Sequence, residues 1–374
     1  MIRLLSIQPV AERGGSDQAL VRLTASLPSD EFECHVVVPG EPPLRAELEA
    51  AGATVHVVPM RRISTSNALG AWALYVLAWP VAVFRLARLA RRLRVDLVHT
   101  NSLHSWYGWA VAKLTRRPHA WHAREIVVQS AAALRLERRL ARGAAVVIAV
   151  SYAVAAQLDP GNVVVIHESV DSTVFTPTRA GRFRSGLGIR DDAPLVAIAG
   201  RIDTWKGIDV LLDAWPAVVA AMPDARLVIA GGVVLGKEAY AAGLERRAAD
   251  LPGVHWSGPR DDVADLLADS DAVAVPSTEP EPYGLVAVEA LASGTPVVAS
   301  DAGGIREIAE AAVPGAGTLV SPSDAPALAT ALVTVLEAAR PTSTARRTSR
   351  ASLRAAAPDP TAQILRDAVT ARRP

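Results

Sequence analysis

The sequence predicts an α/β protein made of two doubly wound parallel-sheet domains. Short aliphatic runs alternate with longer Ala-, Leu- and Arg-rich segments of helical spacing through the N-terminal half, and the alternation starts again near Pro194. Continuous aliphatic strands that alternate with helices are typical of parallel sheets covered on both faces. The candidate strands of the first half are residues 3–8, 35–38, 55–58, 97–99, 120–122 and 145–150. Those of the second half are the runs LVAIAG, RLVIAG, VHWSG, AVAVPS and PVVAS.

The alternation breaks at residues 163–175, which are rich in turn-forming and charged residues and predict a linker. We therefore expect domains at residues 1–172 and 173–356. Residues 340–359 are rich in Arg, Ala, Ser, Thr and Pro and predict a loosely held surface segment. Residues 357–374 contain a last helix, at about 360–372, that we expect to pack back on the first domain.

Charge and cysteine content exclude several classes of protein. The 374 residues include 39 Lys+Arg and 38 Asp+Glu, so the net charge of +1 does not favour nucleic acid as a partner. Cys34 is the single cysteine, which excludes an internal disulfide and fits a reducing cytoplasm. The apolar run at the N-terminus soon meets Glu12 and Arg13, which favours a buried first strand over a signal peptide.

One apolar stretch leaves two interpretations open. Residues 68–84 carry no charge, include Pro80, and fall short of the usual membrane-spanning length. Five arginines follow directly, at Arg85, Arg88, Arg91, Arg92 and Arg94. The segment 68–94 is either a buried helix with a solvated end or a helix that contacts a membrane surface, which would then be the inner face of the membrane.

Common cofactor and metal motifs are missing from the sequence. It contains no Walker A loop, no G-x-G-x-x-G after a strand, no HExxH and no cysteine pair. Asp269 and Asp271 form a D-x-D, a pattern that holds metal-bound nucleotides, but its place at a helix end favours capping and solvation. We therefore expect no metal and no cofactor.

Two segments of the second half predict a site for a diphosphate ligand. Arg201 and Lys206 lie five residues apart after the strand LVAIAG, where a guanidinium fork and an ammonium can clamp a diphosphate. Lysine is rare here, because only Lys113, Lys206 and Lys237 occur. In the segment PSTEPEPYGLVAVE, Glu281 precedes a helix that begins near Tyr283-Gly284 and contains Glu289.

The start of that helix can bind an anion or a sugar. Its uncapped amides are those of Tyr283, Gly284, Leu285 and Val286. Glu289 lies in an apolar helix, so its carboxylate needs a partner, which is either a ligand hydroxyl or a salt bridge.

The first half offers weaker signals. Gly14-Gly15-Ser16 opens the first helix and fits either a phosphate loop or an ordinary tight turn. His122 ends a strand and is either structural or directed at a ligand. Polar and aromatic residues follow the strand LVHT, namely Asn101, His104, Trp106, Tyr107 and Trp109. The rings among them suit stacking on a sugar and a place in the core equally.

Together these motifs resemble glycosyltransferase family 4, a group of retaining, nucleotide-sugar-dependent enzymes with the GT-B fold. The resemblance rests on GRIDTWKG, on EPYGLVAVEALASGTPVVASDAGGIREI with its Glu281-x7-Glu289 spacing, on WSGPRDDVADLLADSDAVAVPS, and on VDSTVF. It implies two Rossmann-like domains that face each other across a cleft. At the junction, Ser169 stands where the family commonly has glycine. Glu279 competes with Glu281 as the sugar-binding carboxylate, and the x7 spacing selects Glu281.

The resemblance implies a role for each matching residue. Arg201 and Lys206, next to Gly200, would hold the departing diphosphate, Glu289 the ribose and Glu281 the donor sugar. The backbone of Tyr283, Gly284, Leu285 and Val286 would supply further donor contacts. Gly15 matches the phosphate loop of the first domain, and His122 the histidine near the donor sugar. Gly258 and Arg260 match the positions that contact the base. The first domain meets the acceptor in this family, so the acceptor-side candidates are Ser16, Asn101, His104, Trp106 and Tyr107.

The implied reaction transfers a hexosyl unit from a nucleotide-diphosphate sugar to a hydroxyl group, with the anomeric configuration retained and no metal required. UDP is the preferred nucleotide, with GDP as the second choice. The acceptor is a small molecule, a glycan or a lipid-linked sugar of bacterial polysaccharide, glycolipid or natural-product biosynthesis. Alternatives are an epimerase or phosphorylase of the same fold, and a non-catalytic sugar-nucleotide-binding protein.

Overall fold

The computed structural model describes residues 1–10, 14–61, 69–128, 130–339 and 360–370. The chain forms two compact units, Met1–Glu168 with Ala357–Pro374, and Ser169–Ala356. The boundary lies between Glu168 and Ser169, whereas the sequence places it at residue 172. The segment predicted to be loosely held, residues 340–359, lies outside the described residues.

The first unit is built on a parallel sheet of seven strands. Their order in the sheet is β3-β2-β1-β4-β5-β6-β7. The strands are β1 (Ile2–Ile7), β2 (Phe32–Val38), β3 (Ala53–Val57), β4 (Leu97–Thr100), β5 (His119–Ala123), β6 (Val146–Ala149) and β7 (Val163–Val165). Strands β4, β5 and β6 are buried throughout because helices cover both faces of the sheet.

Helices connect these strands and cover the sheet. They are α1 (Gly15–Ser26), α2 (Arg45–Ala50), α3 (Leu69–Leu93), α4 (Tyr107–Thr115), α5 (Ala131–Ala141) and α6 (Tyr152–Ala156). The helix near the C-terminus, numbered α13 below (Thr361–Thr370), also packs on this unit. Its Leu365 is fully buried in a core cluster with Leu97 and Ile148, and Arg366 pairs with Glu31.

The second unit is built on a parallel sheet of six strands in the order β10-β9-β8-β11-β12-β13. The strands are β8 (Leu195–Ala199), β9 (Arg226–Ala230), β10 (Val254–Gly258), β11 (Ala272–Val275), β12 (Val297–Ser300) and β13 (Gly317–Val320). The helices are α7 (Ile208–Ala221), α8 (Glu238–Ala249), α9 (Val263–Asp269), α10 (Leu285–Ala292), α11 (Ile305–Ala311) and α12 (Ala325–Ala339). Trp215 of α7 is fully buried against α12, in a cluster with Leu332 and Leu336.

Two strands of the structure are not among the candidate strands of the sequence. Residues 163–175 were predicted to be a linker, but Val163–Val165 pairs with β6 as the outermost strand of the first sheet. Val163–Val165 has three half-buried residues, and its pattern is masked by the polar residues that follow. Gly317–Val320 adds an edge strand to the second sheet and is also half-buried. The run GTLV has only two aliphatic residues, Leu319 and Val320, so it gives a weak strand signal.

The strand orders define one switch point in each sheet. Successive strands run outward in one direction from β1 and in the other from β4, and the same reversal separates β8 from β11. Connections diverge at such a point, which leaves a crevice beyond the carboxyl ends of the two strands where ligands bind. A ligand-binding site is therefore expected at the turns after β1 and β4 and at the turns after β8 and β11.

Candidate functional site

The turn after β8 is shaped by two glycines. Gly200 and Gly207 have φ angles of 138° and 69°, in the region that favours glycine. A Cβ on Gly207 would lie 1.8 Å from the Pro276 carbonyl oxygen, so glycine lets this turn approach the loop after β11. Between the glycines, the Asp203 carboxylate accepts hydrogen bonds from the Thr204 amide at 2.8 Å and Trp205 Nε1 at 3.1 Å.

This turn brings Lys206 to Glu281. Lys206 Nζ lies 2.6 Å from Glu281 Oε1 and 4.0 Å from the centroid of the Trp205 ring. Ser277 Oγ donates a hydrogen bond to the same carboxylate oxygen at 2.7 Å. The Lys206 side chain is 25% exposed and that of Glu281 is 6% exposed, so the ammonium remains accessible while the carboxylate is enclosed.

The backbone of Glu281 is fixed as firmly as its side chain. Its amide donates to the Ala302 carbonyl at 3.1 Å, and its carbonyl accepts from the Gly304 amide at 2.7 Å. A Cβ on Gly303 would lie 2.2 Å from the Glu281 carbonyl oxygen, so the close approach requires glycine. The loop after β11 is thereby tied to the loop after β12, which holds the carboxylate at the switch point.

The α10 helix starts beside this ion pair. Gly284 is its N-cap, with a φ angle of 102° and no side-chain cap. Leu285 and Val286 form the first turn and are half-buried, as is Tyr283 before them. Unpaired amides of a first helical turn present a positive potential to an anion. Glu289 lies in the same helix, is half-buried, and interacts with other groups of the protein.

The remaining candidates of the second unit lie at neighbouring strand ends. Gly200 and Arg201 are exposed on the turn after β8. Arg260 follows Gly258 at the end of β10 and forms two bonds to the Asp262 carboxylate, at 2.6 and 2.7 Å. Its guanidinium also lies 4.8 Å from the centroid of the Phe183 ring.

At the switch point of the first unit, a buried polar network lies beneath the start of α1. Asn101 Nδ2 donates to Gln8 Oε1 and to the Ser16 carbonyl, both at 2.9 Å. Gln8 Nε2 donates in turn to Asp17 Oδ1 at 2.9 Å. The network ties the turn after β1 to the turn after β4 and leaves Gly15 exposed at the helix start.

Arg124 extends this network to His122. Arg124 Nε donates to Asn101 Oδ1 at 2.8 Å, its Nη1 pairs with Glu168, and its Nη2 lies 3.4 Å from His122 Nδ1. Burial lowers the pKa of Arg124 to about 9. Burial, with added repulsion from Arg124 and His99, also holds the pKa of His122 well below its usual 6.5. His122 is therefore neutral at pH 7, and its Nδ1 accepts because arginine can only donate.

Sequence reasoning missed four members of this network, namely Gln8, Asp17, Arg124 and Glu168. Gln8 was assigned to the end of the first strand. Arg124 lies two residues after His122, so a polar side chain just past a strand end was the available signal. Asp17 carries no such signal because an acidic residue is common in a first helical turn. Glu168 carries none because its partner Arg124 is 44 positions away.

The structure gives the acceptor-side candidates different surroundings. Tyr107 is buried in the core, where its hydroxyl donates to the Arg61 carbonyl at 2.9 Å and its ring stacks on Trp79, so the core alternative describes it. His104 Nδ1 lies 2.8 Å from Glu137 Oε1. Trp106 is half-buried, and its indole Nε1 finds no acceptor among the described residues.

The D-x-D is a structural clamp. Asp269 accepts from the amides of Phe183 and Arg184 at 2.6 and 3.1 Å, and Asp271 pairs with Arg184 at 2.8 Å. All three charged side chains are buried, so the carboxylates turn inward and the expectation that they are solvated is wrong. In the residues that the structure describes, no group of three or more His, Cys, Asp or Glu side chains is arranged to hold a metal ion.

Comparison with known proteins matches both units. Residues 193–338 match the family model "Glycosyl transferases group 1", and residues 14–167 match "Glycosyl transferase 4-like domain". The chain is 40% identical over 171 residues to a D-inositol 3-phosphate glycosyltransferase of Mycobacterium marinum, and 40% identical over 185 residues to that of Mycolicibacterium gilvum. These alignments cover 44% and 48% of this chain, but only 35% and 40% of the two relatives.

A solved structure matches over more of the chain. HepE of Anabaena, crystallised with UDP and glucose, is 26% identical with a TM-score of 0.74, over 94% of this chain and 96% of its own.

The two parallel-sheet units, each with its polar groups at a switch point, define a two-domain Rossmann-like protein of the GT-B class. Within that class, the chain belongs to glycosyltransferase family 4. The fold class and the family inferred from the sequence motifs are thus confirmed.

Proposed function

We propose that this protein is a retaining glycosyltransferase that transfers a hexosyl unit from a UDP-sugar to an acceptor hydroxyl. The observation that carries the proposal is the Lys206–Glu281 ion pair at the switch point of the second sheet, next to the first turn of α10. An accessible ammonium and the first-turn amides of a helix without a side-chain cap suit a diphosphate, and the enclosed carboxylate suits a neutral, hydroxyl-bearing sugar. The UDP and glucose bound to HepE support the same donor class.

The chemistry requires stabilisation of a leaving group. As the bond between the anomeric carbon and the phosphate oxygen breaks, negative charge grows on the diphosphate. Lys206 and Arg201 neutralise that charge, and preorganised charges of this kind commonly supply the largest share of catalysis. The acceptor oxygen attacks from the face that the diphosphate leaves, and its proton passes to a phosphate oxygen. The new bond therefore keeps the configuration of the old one.

The carboxylates act as binding groups in this proposal. Both hydrogen bonds to Glu281 fall on Oε1, so Oε2 is the oxygen assigned to a sugar hydroxyl. Glu289 is assigned to the ribose, and Gly258 and Arg260 to the base. In the first unit, Gly15 is assigned to a phosphate and His122 to the sugar. Because His122 Nδ1 accepts from Arg124, the ring hydrogen lies on Nε2, which donates to a hydroxyl.

The acceptor is proposed to bind at the first unit. Ser16 and Asn101 lie at its switch point, while His104 and Trp106 lie between β4 and α4. The half-buried Trp106, whose indole N–H finds no acceptor in the described part of the chain, suits a sugar or another hydroxylated ring.

Thermal-shift measurements test the donor class. UDP should raise the melting temperature more than GDP, ADP or dTDP at equal concentration, because a ligand stabilises the fold according to its affinity. A larger shift with another nucleotide would contradict UDP and identify that nucleotide as the one carried by the donor.

Product analysis and EDTA treatment test the reaction itself. NMR of the product should show the donor's anomeric configuration, and activity should persist after EDTA treatment, since cations of the protein replace the metal. Conversion of the donor without acceptor would indicate an epimerase.

A further inference from the structure

The α3 helix (Leu69–Leu93) exposes an apolar face to solvent. Its inward face is buried in the core through residues that include Tyr75, Val83 and Leu86. Leu77 and Phe84 on the opposite face are 73% and 63% exposed. From residue 74 onward, the large exposed apolar side chains of the helix are those of Leu74, Val76, Leu77, Val81 and Phe84. Leu74, Leu77, Val81 and Phe84 follow a spacing of three and four, so they lie along one side of the helix.

The same side of α3 continues as a cationic surface. Arg85, Arg88, Arg91 and Arg92 are exposed on its last two turns. Arg91 Nη2 donates at 2.8 Å to the carbonyl of Leu114, at the end of α4, where the Leu114 side chain is exposed too. Exposed cations beside Leu114 extend the surface, namely Lys113, Arg116 and Arg117. We call the apolar residues, Leu114 and these cations together the α3–α4 surface.

The sequence keeps acidic residues away from this surface. Neither α3 nor α4 contains an aspartate or a glutamate, although the chain as a whole is nearly neutral. Exposed leucine, valine and phenylalanine side chains in one patch are costly in water and mark an interaction site. The patch lies directly next to concentrated positive charge, so the partner must offer apolar and anionic groups together.

An anionic lipid bilayer meets both requirements. Its phosphates attract arginine and lysine, and the boundary of its acyl chains accepts apolar side chains at the depth of a helix lying in the membrane plane. A second copy of this chain fits less well, because a two-fold contact would bring the same cations together. Within the described residues, no helix combines the length and the apolar character that crossing a membrane requires.

We propose that the α3–α4 surface docks this protein on anionic lipid membranes. In the docked state, Leu77, Val81 and Phe84 enter the acyl boundary while Arg88 and Arg92 pair with lipid phosphates. This inference does not depend on the proposed transferase activity, because it concerns the outer face of a helix and none of the residues assigned to the donor.

Vesicle flotation tests the proposal with two lipid compositions. The full chain is mixed with vesicles of phosphatidylcholine alone or of equimolar phosphatidylcholine and phosphatidylglycerol. We expect binding to the anionic vesicles and little to the neutral ones, with a strong loss at about 1 M salt, where charges are screened within about 3 Å. Equal binding to both compositions, or none to the anionic vesicles, would contradict the proposal.

Two double variants separate the contributions of the surface. Arg88→Gln with Arg92→Gln should weaken binding at least about tenfold, since each cation near the membrane contributes about 1 kcal/mol. Leu77→Gln with Phe84→Gln should weaken it similarly without removing charge. Melting temperatures of both variants should stay near that of the parent, because all four side chains are exposed.

Matched controls come from the second unit. Leu235 is 92% exposed and Arg246 is exposed on α8, so Leu235→Gln with Arg246→Gln removes comparable groups elsewhere. This control should bind as the parent does, and an equal loss would overturn the assignment to the α3–α4 surface.

Sedimentation equilibrium tests whether a second copy of the chain covers this surface. A dimer of the parent that Leu77→Gln dissociates would assign the face to a second copy instead.

Discussion

Lys206 Nζ and Glu281 Oε1 lie 2.6 Å apart, so a cation after β8 and a carboxylate after β11 form one ion pair across the switch point of the second sheet. The two residues are 75 positions apart in sequence. The ammonium of Lys206 neutralises the charge of the enclosed Glu281 carboxylate, which stabilises the fold. Because the ammonium is itself partly exposed, it can also reach a ligand.

The Lys206→Ala variant should lose at least about 10²-fold in kcat, as expected for the loss of one group that stabilises the transition state. Steady-state kinetics with a UDP-sugar donor measures this. Lys237→Ala, in the same unit and away from the ion pair, is the matched control and should turn over normally. Near-normal turnover of the Lys206 variant would contradict its assignment to the leaving group.

Replacing both partners separates stability from catalysis. Lys206→Met alone leaves the carboxylate of Glu281 without its cation and should cost about 1–3 kcal/mol of stability, allowing for the partial exposure of the lysine. Adding Glu281→Gln removes the uncompensated charge, so the melting temperature should recover while kcat stays low. Recovery of kcat together with stability would show that the pair is only structural.

Glu289→Ala should weaken UDP binding by about 10- to 100-fold, the range expected when hydrogen bonds to a charged group are lost. The effect should appear in the dissociation constant measured by calorimetry more than in kcat. Glu245→Ala, at an exposed position of α8, serves as the control. Unchanged UDP affinity in the Glu289 variant would contradict the assignment of Glu289 to the ribose and indicate that its partner is another group of the protein.

Gly231→Ala should destabilise the second unit by about 1–3 kcal/mol, the usual cost of overpacking. A Cβ at Gly231 would lie 1.7 Å from the Gly200 carbonyl oxygen, so the turn that precedes Arg201 must shift. Gly243→Ala, in the middle of α8, is the matched control, because a Cβ added there would meet nothing within 4 Å. That change should instead stabilise the protein by about 0.5–1 kcal/mol. Urea unfolding of the two variants distinguishes these opposite signs.

Stability should fall as the pH drops below about 6.5, in part because of His99. Burial, together with Arg124, lowers the pKa of His99 from 6.5 to about 3. As the pH falls through this window the unfolded chain takes up a proton that the folded chain does not, so folding loses up to about 1.4 kcal/mol per pH unit. His99→Gln should therefore show a smaller difference in unfolding free energy between about pH 7 and pH 5. An unchanged slope would mean that His99 does not contribute.

Local sequence patterns determined the fold class, most strands and the elements that carry the site. Aliphatic runs such as LVAIAG are short, contain β-branched residues and end in glycine, which identifies them as buried strands of a parallel sheet. The glycines at Gly200 and Gly207 and the helix start at Gly284 are also local features. The edge strand Val163–Val165 was missed because polar residues follow its three valines, and Gly317–Val320 because only two of its residues are aliphatic.

Pairings between distant residues were decided only by the tertiary structure. The sequence placed Lys206 and Glu281 in one site but did not join them, and it gave no sign that Asp269 and Asp271 close on Arg184. It likewise left α3 with two interpretations, since exposure depends on which face packs against the sheet. Hydrophobic periodicity acts over a few residues and can be read along the chain. An ion pair or an exposed face depends on strand order and on the packing of distant segments, which only the folded chain defines.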